Sequence, residues 1–322
     1  MFKTLSEQIA ILQSRGVIVD DNSSNQRLLL DNNYYNVING FKDPFLISAS
    51  PDLYKSGTKF EEIFALYDFD RKLRSLLLEY FLIIENDCKT KIAYDFSSRY
   101  NENDYLNIDN YNSIATPEEK IRISRFLGEL GKKLDRGKTN GIYVHFINAN
   151  PPKTIPLWAA VNFFDFGDIR ELYSFLDDTV RFNIANYYSI SQNNLDTMLS
   201  CINMFRNVCA HDNRVMKYII YKKNMNISNM PIHTNLKLKK DTVGNYLFGK
   251  KDLFSVFICF KYLLSDKLFN DFFDELIKHL KILNSKLTTI SINDVYMQYG
   301  LPLSDPATGQ LDWKSIKTTS KW

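Results

Sequence analysis

Apolar residues recur most regularly between positions 60 and 95, at steps of three and four residues. The stripe consists of Ile63, Leu66, Phe69, Leu73, Leu76, Tyr80 and Ile83. Steps of this size place side chains on one face of an α-helix, and neither Gly nor Pro interrupts the segment, so it predicts one long helix. Asp70 and Arg74 lie four residues apart and are expected to form an ion pair on the surface of this helix. The same spacing separates Glu85 from Lys89.

Shorter helices are predicted on both sides of this segment. Ser6 is expected to cap a helix that runs to Arg15, where Gly16 ends it. The segment from Thr116 to Glu119 has the form of a helix start, with a capping residue, a proline in the first turn and two acids. Further helices are predicted near residues 26–37, 158–164, 169–176, 179–188, 253–264 and 269–287, and from Asn194 onward.

Helical periodicity dominates the chain, so the predicted fold class is all-α. Gly40, Pro44 and Pro51 indicate irregular structure before the long helix. After residue 215 the pattern is less clear. Residues 216–223 fit either a strand or the tail of a helix, and residues 236–241 alternate as in a short strand.

The chain shows no internal repeat and no low-complexity tract that would divide it sharply. We therefore interpret residues 1–322 as one helical protein. Within it we distinguish an N-terminal segment, 1–59, a helical core, 60–215, and C-terminal helices with a tail, 216–322.

Composition narrows the class of protein. Of 322 residues, 45% are hydrophobic and 24% are charged, values near those of folded globular proteins. The net charge is only +3, so binding to nucleic acid has to be argued from local clusters. The four cysteines form no C-x-x-C pair, which favours buried thiols in a reducing cytosol. The chain has no signal-peptide pattern and no apolar run near the roughly 18 residues of a membrane span, so we expect a cytoplasmic protein without membrane contact.

The segment Phe205–Arg214 contains the pattern R-N-x-x-x-H, which suits the cleavage of RNA. That reaction needs a base for the ribose 2′-hydroxyl, a cation for the pentavalent phosphorane and an acid for the leaving 5′-oxygen. His211 suits the first or third role because imidazole titrates near neutral pH. Arg206 suits the second, since its guanidinium matches phosphate oxygens. Asn207 is expected to orient His211 or to hold a phosphate oxygen.

Helix geometry constrains how these residues meet. Asn207 and His211 are four apart and share a face, which Arg214 is expected to join. Arg206 and His211 lie about 140° apart around an ideal helix. They meet only if the Arg206 side chain wraps, if the helix ends between them, or if a second copy supplies one partner. We hypothesise a homodimer whose two motifs face each other across a positive cleft and supply two histidines, one base and one acid.

The pattern by itself is common, and a histidine near a helix end is more often a surface or capping residue. R-N-x-x-x-H is similar to the R-x(4–6)-H signature of HEPN nucleases and has the form R-x4-H. Longer stretches of the chain add specificity. Five stretches, in family order, resemble the Abi-like (AbiD/AbiF-type) abortive-infection family. They are LSEQIAILQSRGVIVDD, DNNYYNVINGFKDPF, FEEIFALYDFDRKLRSLLLEYFLIIEND, PLWAAVNFFDFGDIRELYSFL and MFRNVCAHDNRV.

This resemblance implies a HEPN-like helical bundle with additional helices and a role in phage defence or growth arrest. It also implies metal-independent cleavage of RNA and makes a non-coding RNA a plausible partner. Carried over residue by residue, it supports Arg206, His211 and Asn207. Beyond Val215 the resemblance thins.

Other residues are candidates for supporting roles. Asp70 and Arg74 are interpreted as an ion pair that orients the long helix against the motif helix. Glu85 is either a buried acid that orients Arg206 or a surface residue. Two sets of basic residues either track an RNA backbone or form solvated faces. The first set is Lys120, Arg122, Arg125, Lys132, Lys133 and Arg136, and the second is Lys217, Lys222 and Lys223.

Several kinds of site are excluded on sequence grounds. The segment Gly244–Lys251 nearly matches a phosphate-binding loop, but Lys251 stands where Ser or Thr should hold magnesium. The four histidines lie far apart and do not complete a zinc site with Cys209. The chain has no G-x-S-x-G motif. We therefore expect no metal and no cofactor.

The predicted function is that of a defence effector that cleaves RNA through the 2′-hydroxyl, leaving a cyclic phosphate and sparing DNA. The alternative is a non-catalytic protein that grips a structured non-coding RNA with Arg206 and His211. A third hypothesis is a protein–protein module that acts as an antitoxin or assembly partner.

Overall fold

The structure is a computed structural model, and most of the chain is described. The described residues are 2–112, 114–137, 140–148, 154–222, 226–227 and 230–321. The protein is 63% helical and 4% strand, which confirms the predicted mainly α fold class. None of the described helices combines the length and apolar character that a membrane span requires.

The helices are labelled in chain order. They are α1 (Leu5–Ser14), α2 (Ser23–Asn32), α3 (Phe60–Arg99), α4 (Pro117–Arg136), α5 (Gly141–Asn148), α6 (Leu157–Ala160), α7 (Phe166–Phe175), α8 (Asp178–Asn186), α9 (Gln192–Ala210), α10 (Pro231–Asn235), α11 (Leu253–Leu263), α12 (Asp266–Asn284) and α13 (Ile292–Gln298). A short π-helix spans Tyr35–Asn39, and single 3₁₀ turns occur at Asp43–Phe45, Ile108–Asn110, Val161–Phe163 and Trp313–Lys317.

Helix starts follow the local capping chemistry. At α4, Thr116 accepts the Glu119 N–H while Glu119 accepts the Thr116 N–H, as the sequence predicts. At α1 the predicted cap is wrong by two residues, because Thr4 and not Ser6 forms the capping box. Gly16, with φ of 95°, follows the helix end as expected.

The long helix predicted from residue 60 is α3, which has 40 residues and a length of about 60 Å. Its apolar stripe is buried from Ile63 to Tyr80, whereas the last member, Ile83, is half-buried. The ion pair expected on its surface is buried instead, since the Asp70 and Arg74 side chains are 0% and 7% exposed. Spacing alone locates a pair but not the side of the helix that other elements cover.

The strands lie elsewhere than the sequence suggests. The segment Leu46–Ala49 (β1) pairs antiparallel with Asp52–Tyr54 (β2), in a stretch expected to be irregular. Asp52 joins this hairpin to neighbouring chain through ion pairs with Arg15 at 3.0 Å and Lys42 at 2.5 Å. Among the described residues after 215, only isolated bridges such as Lys240–Tyr246 occur, so the short strand expected at residues 236–241 does not form. Residues 216–222 form neither a strand nor the tail of a helix.

Two compact units make up the chain. The first comprises Met1–Glu79 and Phe205–Trp322, and the second comprises Tyr80–Met204. The core of the first unit includes α11, of which every residue is buried, and the fully buried Trp313. Buried Phe126, Tyr111 and Phe175 belong to the core of the second unit. The proposed three-segment division of one domain stays a prediction.

Candidate functional site

The R-N-x-x-x-H residues lie at the C-terminal end of α9, in the first unit. Arg206 and Asn207 are within the helix, and His211 directly follows its last residue, Ala210. Arg206 is half-buried, whereas Asn207 and His211 are exposed to solvent. An exposed imidazole at this position can reach a substrate and exchange protons with it.

The helix ends at this point through a Schellman motif. Asp212 adopts a left-handed conformation with φ of 56°. Its N–H donates to the Cys209 carbonyl at 3.4 Å, and the Asn213 N–H donates to the Val208 carbonyl at 2.9 Å. Glycine usually fills the left-handed position, and Asp and Asn are the side chains that tolerate it best. His211 therefore occupies the capping position, outside the regular helix.

This helix end changes the predicted arrangement of the motif. The His211 N–H still donates to the Asn207 carbonyl at 3.0 Å, so the left-handed turn comes after His211, and how Arg206 reaches His211 stays a prediction. The expectation that Arg214 continues the face of Asn207 and His211 is wrong, because Arg214 lies beyond the left-handed turn. The sequence offered no glycine to mark that turn.

Arg74 ties the turn after His211 to α3. Its Nη2 donates to Asp212 Oδ1 at 2.6 Å, and its Nη1 donates to Asp70 Oδ2 at 2.5 Å. The predicted pairing of Asp70 with Arg74 is therefore present, and it extends to the motif through Asp212. Residues 74 and 212 are far apart in sequence, so the spacing pattern contained no signal for this contact.

Asp70 holds the chain that follows. Its carboxylate accepts the Met216 N–H at 3.0 Å, the Val215 N–H at 3.4 Å and the Tyr299 hydroxyl at 2.9 Å. Burial raises the pKa of Asp70, and the Arg74 guanidinium opposes that effect. Since α3 supplies both charges, the segment from Asp212 to Met216 is anchored at each end to one rigid helix.

Arg214 points to a different neighbour. Its Nη1 donates to the Gly40 carbonyl, and its guanidinium lies 5.9 Å from the centroid of the Phe41 ring. Lys217, a predicted RNA-binding residue, forms an ion pair with Asp43 at 2.6 Å. Both cations therefore hold the segment that follows the motif against residues 40–43.

A cleft of about 210 Å³ opens beside this anchored segment. The π-helix Tyr35–Asn39 forms one side, and the residues after His211 form the other. We call it the asparagine cleft, and its lining includes Tyr35, Asn36, Asn39, Tyr67, Asn213 and Arg214. The N-terminal side was not predicted as part of the site, although the DNNYYNVING stretch is conspicuously rich in Asn and Tyr.

Cys209 lies within the motif but is unsuited to chemistry. Its side chain is buried, and burial raises the pKa of the thiol to about 12. A thiol in that state supplies almost no thiolate near neutral pH. Cys209 is therefore a packing residue of the last turn of α9.

Glu85 lies in the second unit and is 8% exposed, so it is not a surface residue. Its Oε1 accepts from Lys89 at 2.8 Å, which confirms the expected ion pair. Whether Glu85 orients Arg206 stays a prediction.

The basic residues of α4 divide into two groups. Lys133 is committed to structure, since it binds Asp165 at 2.7 Å and Asp168 at 2.5 Å beside the start of α7. Lys132 is exposed and forms an ion pair with Glu129 at 2.7 Å. The other predicted residues on this helix are exposed, namely Lys120, Arg122, Arg125 and Arg136. Of the second predicted set, Lys222 is exposed, and Lys223 lies outside the described residues.

Within the described part of the chain, no group of three or more His, Cys, Asp or Glu residues could hold a metal ion. The site instead offers an exposed imidazole, a half-buried guanidinium and an exposed amide on a fixed helix end. These groups can move protons and stabilise a phosphate without a metal.

The chain matches a known protein family. The family model described as "Abi-like protein" matches residues 27–217, which include the asparagine cleft's N-terminal side, the anchoring residues of α3 and the motif. No curated protein and no solved structure matches the chain significantly.

Proposed function

Because this chain belongs to the Abi-like family, a role in abortive infection and phage defence is supported, and we propose that the chain acts in that role as a metal-independent endoribonuclease. The reacting groups are His211, Arg206 and Asn207. The observation that carries the proposal is an exposed histidine on a segment that two buried charges, Asp70 and Arg74, hold in place. This anchoring fixes the place at which the imidazole meets a substrate.

The chemistry follows from the groups present. A base removes the proton from the ribose 2′-hydroxyl, and the 2′-oxygen attacks the adjacent phosphorus. The bond from phosphorus to the 5′-oxygen breaks, and an acid gives that oxygen a proton. The products are a 2′,3′-cyclic phosphate and a 5′-hydroxyl. DNA lacks the nucleophile and is not a substrate.

Each group has one task in this scheme. His211 is the base or the acid, since an imidazole can either accept or donate a proton. Arg206 stabilises the additional negative charge of the phosphorane. Asn207, exposed one turn before His211, orients the imidazole or a phosphate oxygen. One histidine per chain supplies only one proton-transfer group, so the proposal includes a homodimer in which two copies of His211 act as base and acid.

The test uses purified protein with labelled single-stranded RNA in the presence of EDTA. We expect the wild type to cut and leave cyclic-phosphate ends, and His211→Ala to lower the rate about 10²- to 10⁴-fold. Arg206→Lys should also lose activity, because lysine keeps the charge but not the fork. The matched control is His145→Ala, which removes another exposed histidine, from α5.

Growth of bacteria that express each variant, with sequencing of RNA ends, repeats the comparison in cells. Equal growth arrest and equal RNA ends for wild type and His211→Ala at matched protein levels would overturn the proposal.

A second function is favoured by the exposed basic residues of α4, Lys120, Arg122, Arg125 and Arg136. A non-catalytic protein would use them to hold a structured non-coding RNA through its phosphates. That alternative predicts RNA that copurifies with the protein, binds with strong salt dependence and remains uncut. The same cleavage assay therefore separates the two functions.

A further inference from the structure

The asparagine cleft adjoins the motif but contains none of its three reacting residues. Asp212 and Asn213 line it, and they directly follow His211 in the chain. A molecule in the cleft would therefore lie within a few residues' length of the imidazole. The cleft's chemistry differs from that of the motif, which suggests a separate task.

Three asparagines line the cleft, namely Asn36, Asn39 and Asn213. Within the described ranges, none of the three amides forms a hydrogen bond with another side chain or with the backbone. An amide offers one donor and one acceptor side by side, and this is the pattern presented by the edge of a nucleobase. Asn36 and Asn213 are exposed and Asn39 is half-buried, so the three amides are open to a ligand with such edges.

Aromatic surface accompanies the amides. The Tyr35 side chain is 68% exposed at the mouth of the cleft, where a flat ligand can stack on its ring. Tyr67 is more restricted, because its hydroxyl donates to Asn32 at 3.2 Å and its ring meets Phe41 edge-on at 5.7 Å. Tyr35 is thus the ring available for stacking, and Tyr67 forms part of the wall.

The two arginines that line the cleft differ in how far they are engaged. Arg74 lies between the carboxylates of Asp70 and Asp212, whereas Arg214 donates to the Gly40 carbonyl, which is neutral and leaves the positive charge in place. A base in the cleft requires no cation, and Arg214 remains able to contact a phosphate beside that base. The volume of about 210 Å³ is also below the roughly 300–1,000 Å³ typical of pockets for drug-sized ligands, so a single base is the suitable size.

The backbone supplies an independent sign. Tyr35–Asn39 forms a π-helix, a conformation that is rare and occurs often at functional sites. The wider turn brings Tyr35, Asn36 and Asn39 to the same side, facing the segment after His211.

We propose that the asparagine cleft binds one unpaired nucleobase of the RNA, stacked on Tyr35 and recognised at its edge by Asn36, Asn39 and Asn213. This proposal rests on the proposed function, to which it adds the substrate class: single-stranded RNA with a preferred base next to the cut. The cleft selects where His211 acts.

Binding is measured in the His211→Ala background, where no RNA is consumed. The probes are fluorescent octaadenylate, octacytidylate and octauridylate. We expect one of the three to bind best, and Asn36→Ala with Asn39→Ala to reduce that preference by roughly tenfold. Tyr35→Ala should weaken all three by about tenfold, and Tyr35→Phe should restore the affinity because it keeps the ring. Unchanged affinities and preference in these variants would overturn the proposal.

Matched controls remove the same side chains elsewhere. Asn284→Ala deletes an exposed amide at the end of α12, and Tyr94→Ala deletes a ring that is also 68% exposed, in the second unit. Both should bind all three probes as the parent does. Loss of base preference in Asn284→Ala would assign the effect to a site other than the cleft and overturn the proposal.

Cleavage by the chain with His211 intact separates this inference from the proposed function. The Asn36→Ala, Asn39→Ala variant is given a randomised RNA to cut. If its base preference next to the cut equals that of the wild type, the inference alone is overturned. Base-selective binding that depends on the cleft, with no cutting by the wild type, overturns the proposed function alone. No binding of any RNA by the wild type overturns both.

Discussion

Asp70 and Arg74 carry opposite charges in a place where water scarcely reaches them. Removing such charges from water costs several kcal/mol for each ion, and the pair is tolerated only when every partner atom is satisfied. Asp70 meets this condition through two backbone N–H groups and the Tyr299 hydroxyl, in addition to Arg74. The two residues are therefore interdependent, because removal of one leaves the charge of the other buried without its partner.

The Arg74→Ala variant tests this dependence. It leaves the Asp70 carboxylate buried without its cation, so we expect the free energy of unfolding to fall by about 3–5 kcal/mol. Arg71→Ala is the matched control on the same helix, because Arg71 is 58% exposed and pairs with Asp68 at 2.7 Å. An exposed pair of this kind contributes at most about 1 kcal/mol. Urea denaturation of both variants gives the comparison, and equal losses would contradict the anchoring role of Arg74.

Among the elements, α11 depends on a carboxyl group for its start. Asp252 caps the helix by accepting the Ser255 N–H at 3.0 Å, and it also accepts the Gly249 N–H at 3.0 Å. Every residue of α11 from Leu253 to Leu263 is buried, so the cap lies at the edge of the core. Burial raises the pKa of the Asp252 carboxyl to about 7.

This shift predicts how stability changes with pH. Between pH 4 and 7 the folded chain keeps a proton on Asp252. The unfolded chain, in which the pKa of this carboxyl is the ordinary 3.8, has already released it. Its contribution is present at low pH and is lost as pH rises through that window, by at most about 4 kcal/mol. We expect Asp252→Asn, which stays neutral and can still cap, to remove this part of the dependence. Urea denaturation from pH 4 to 8 measures it, and identical slopes for the two proteins would contradict the assignment.

Across the whole chain, the sequence predicted what local chemistry determines. The stripe that begins at Ile63 predicted α3, and Thr116 predicted the start of α4. The hairpin from Leu46 to Tyr54 was missed, because Pro44 and Pro51 indicated irregular chain although they lie just outside its strands.

The candidate site likewise combines a local feature that the sequence shows with distant contacts that it does not. R-N-x-x-x-H was visible because it is local, but the contact between Arg74 and Asp212 joins positions 138 residues apart. The asparagine cleft joins the π-helix to the segment after His211 across a similar separation. Contacts at such distances depend on tertiary packing, which a single sequence does not reveal.

The proposed dimer is the prediction that concerns the molecule as a whole. If two copies of His211 serve as base and acid, a dimer with one His211→Ala chain lacks one of the two groups and cannot cut. Random pairing of equal amounts of wild type and variant then gives His211 in both chains in only about a quarter of the dimers.

The measurement is the cleavage rate after the two chains are unfolded together and refolded as a mixture, with light scattering to establish the oligomeric state. We expect about a quarter of the wild-type rate for the 1:1 mixture with His211→Ala, because only dimers with two intact histidines cut. The mixture with His145→Ala, treated identically, should keep the full rate. A rate near one half would mean that each chain cuts independently, and one histidine would then have to serve as both base and acid or share the work with another group of its own chain.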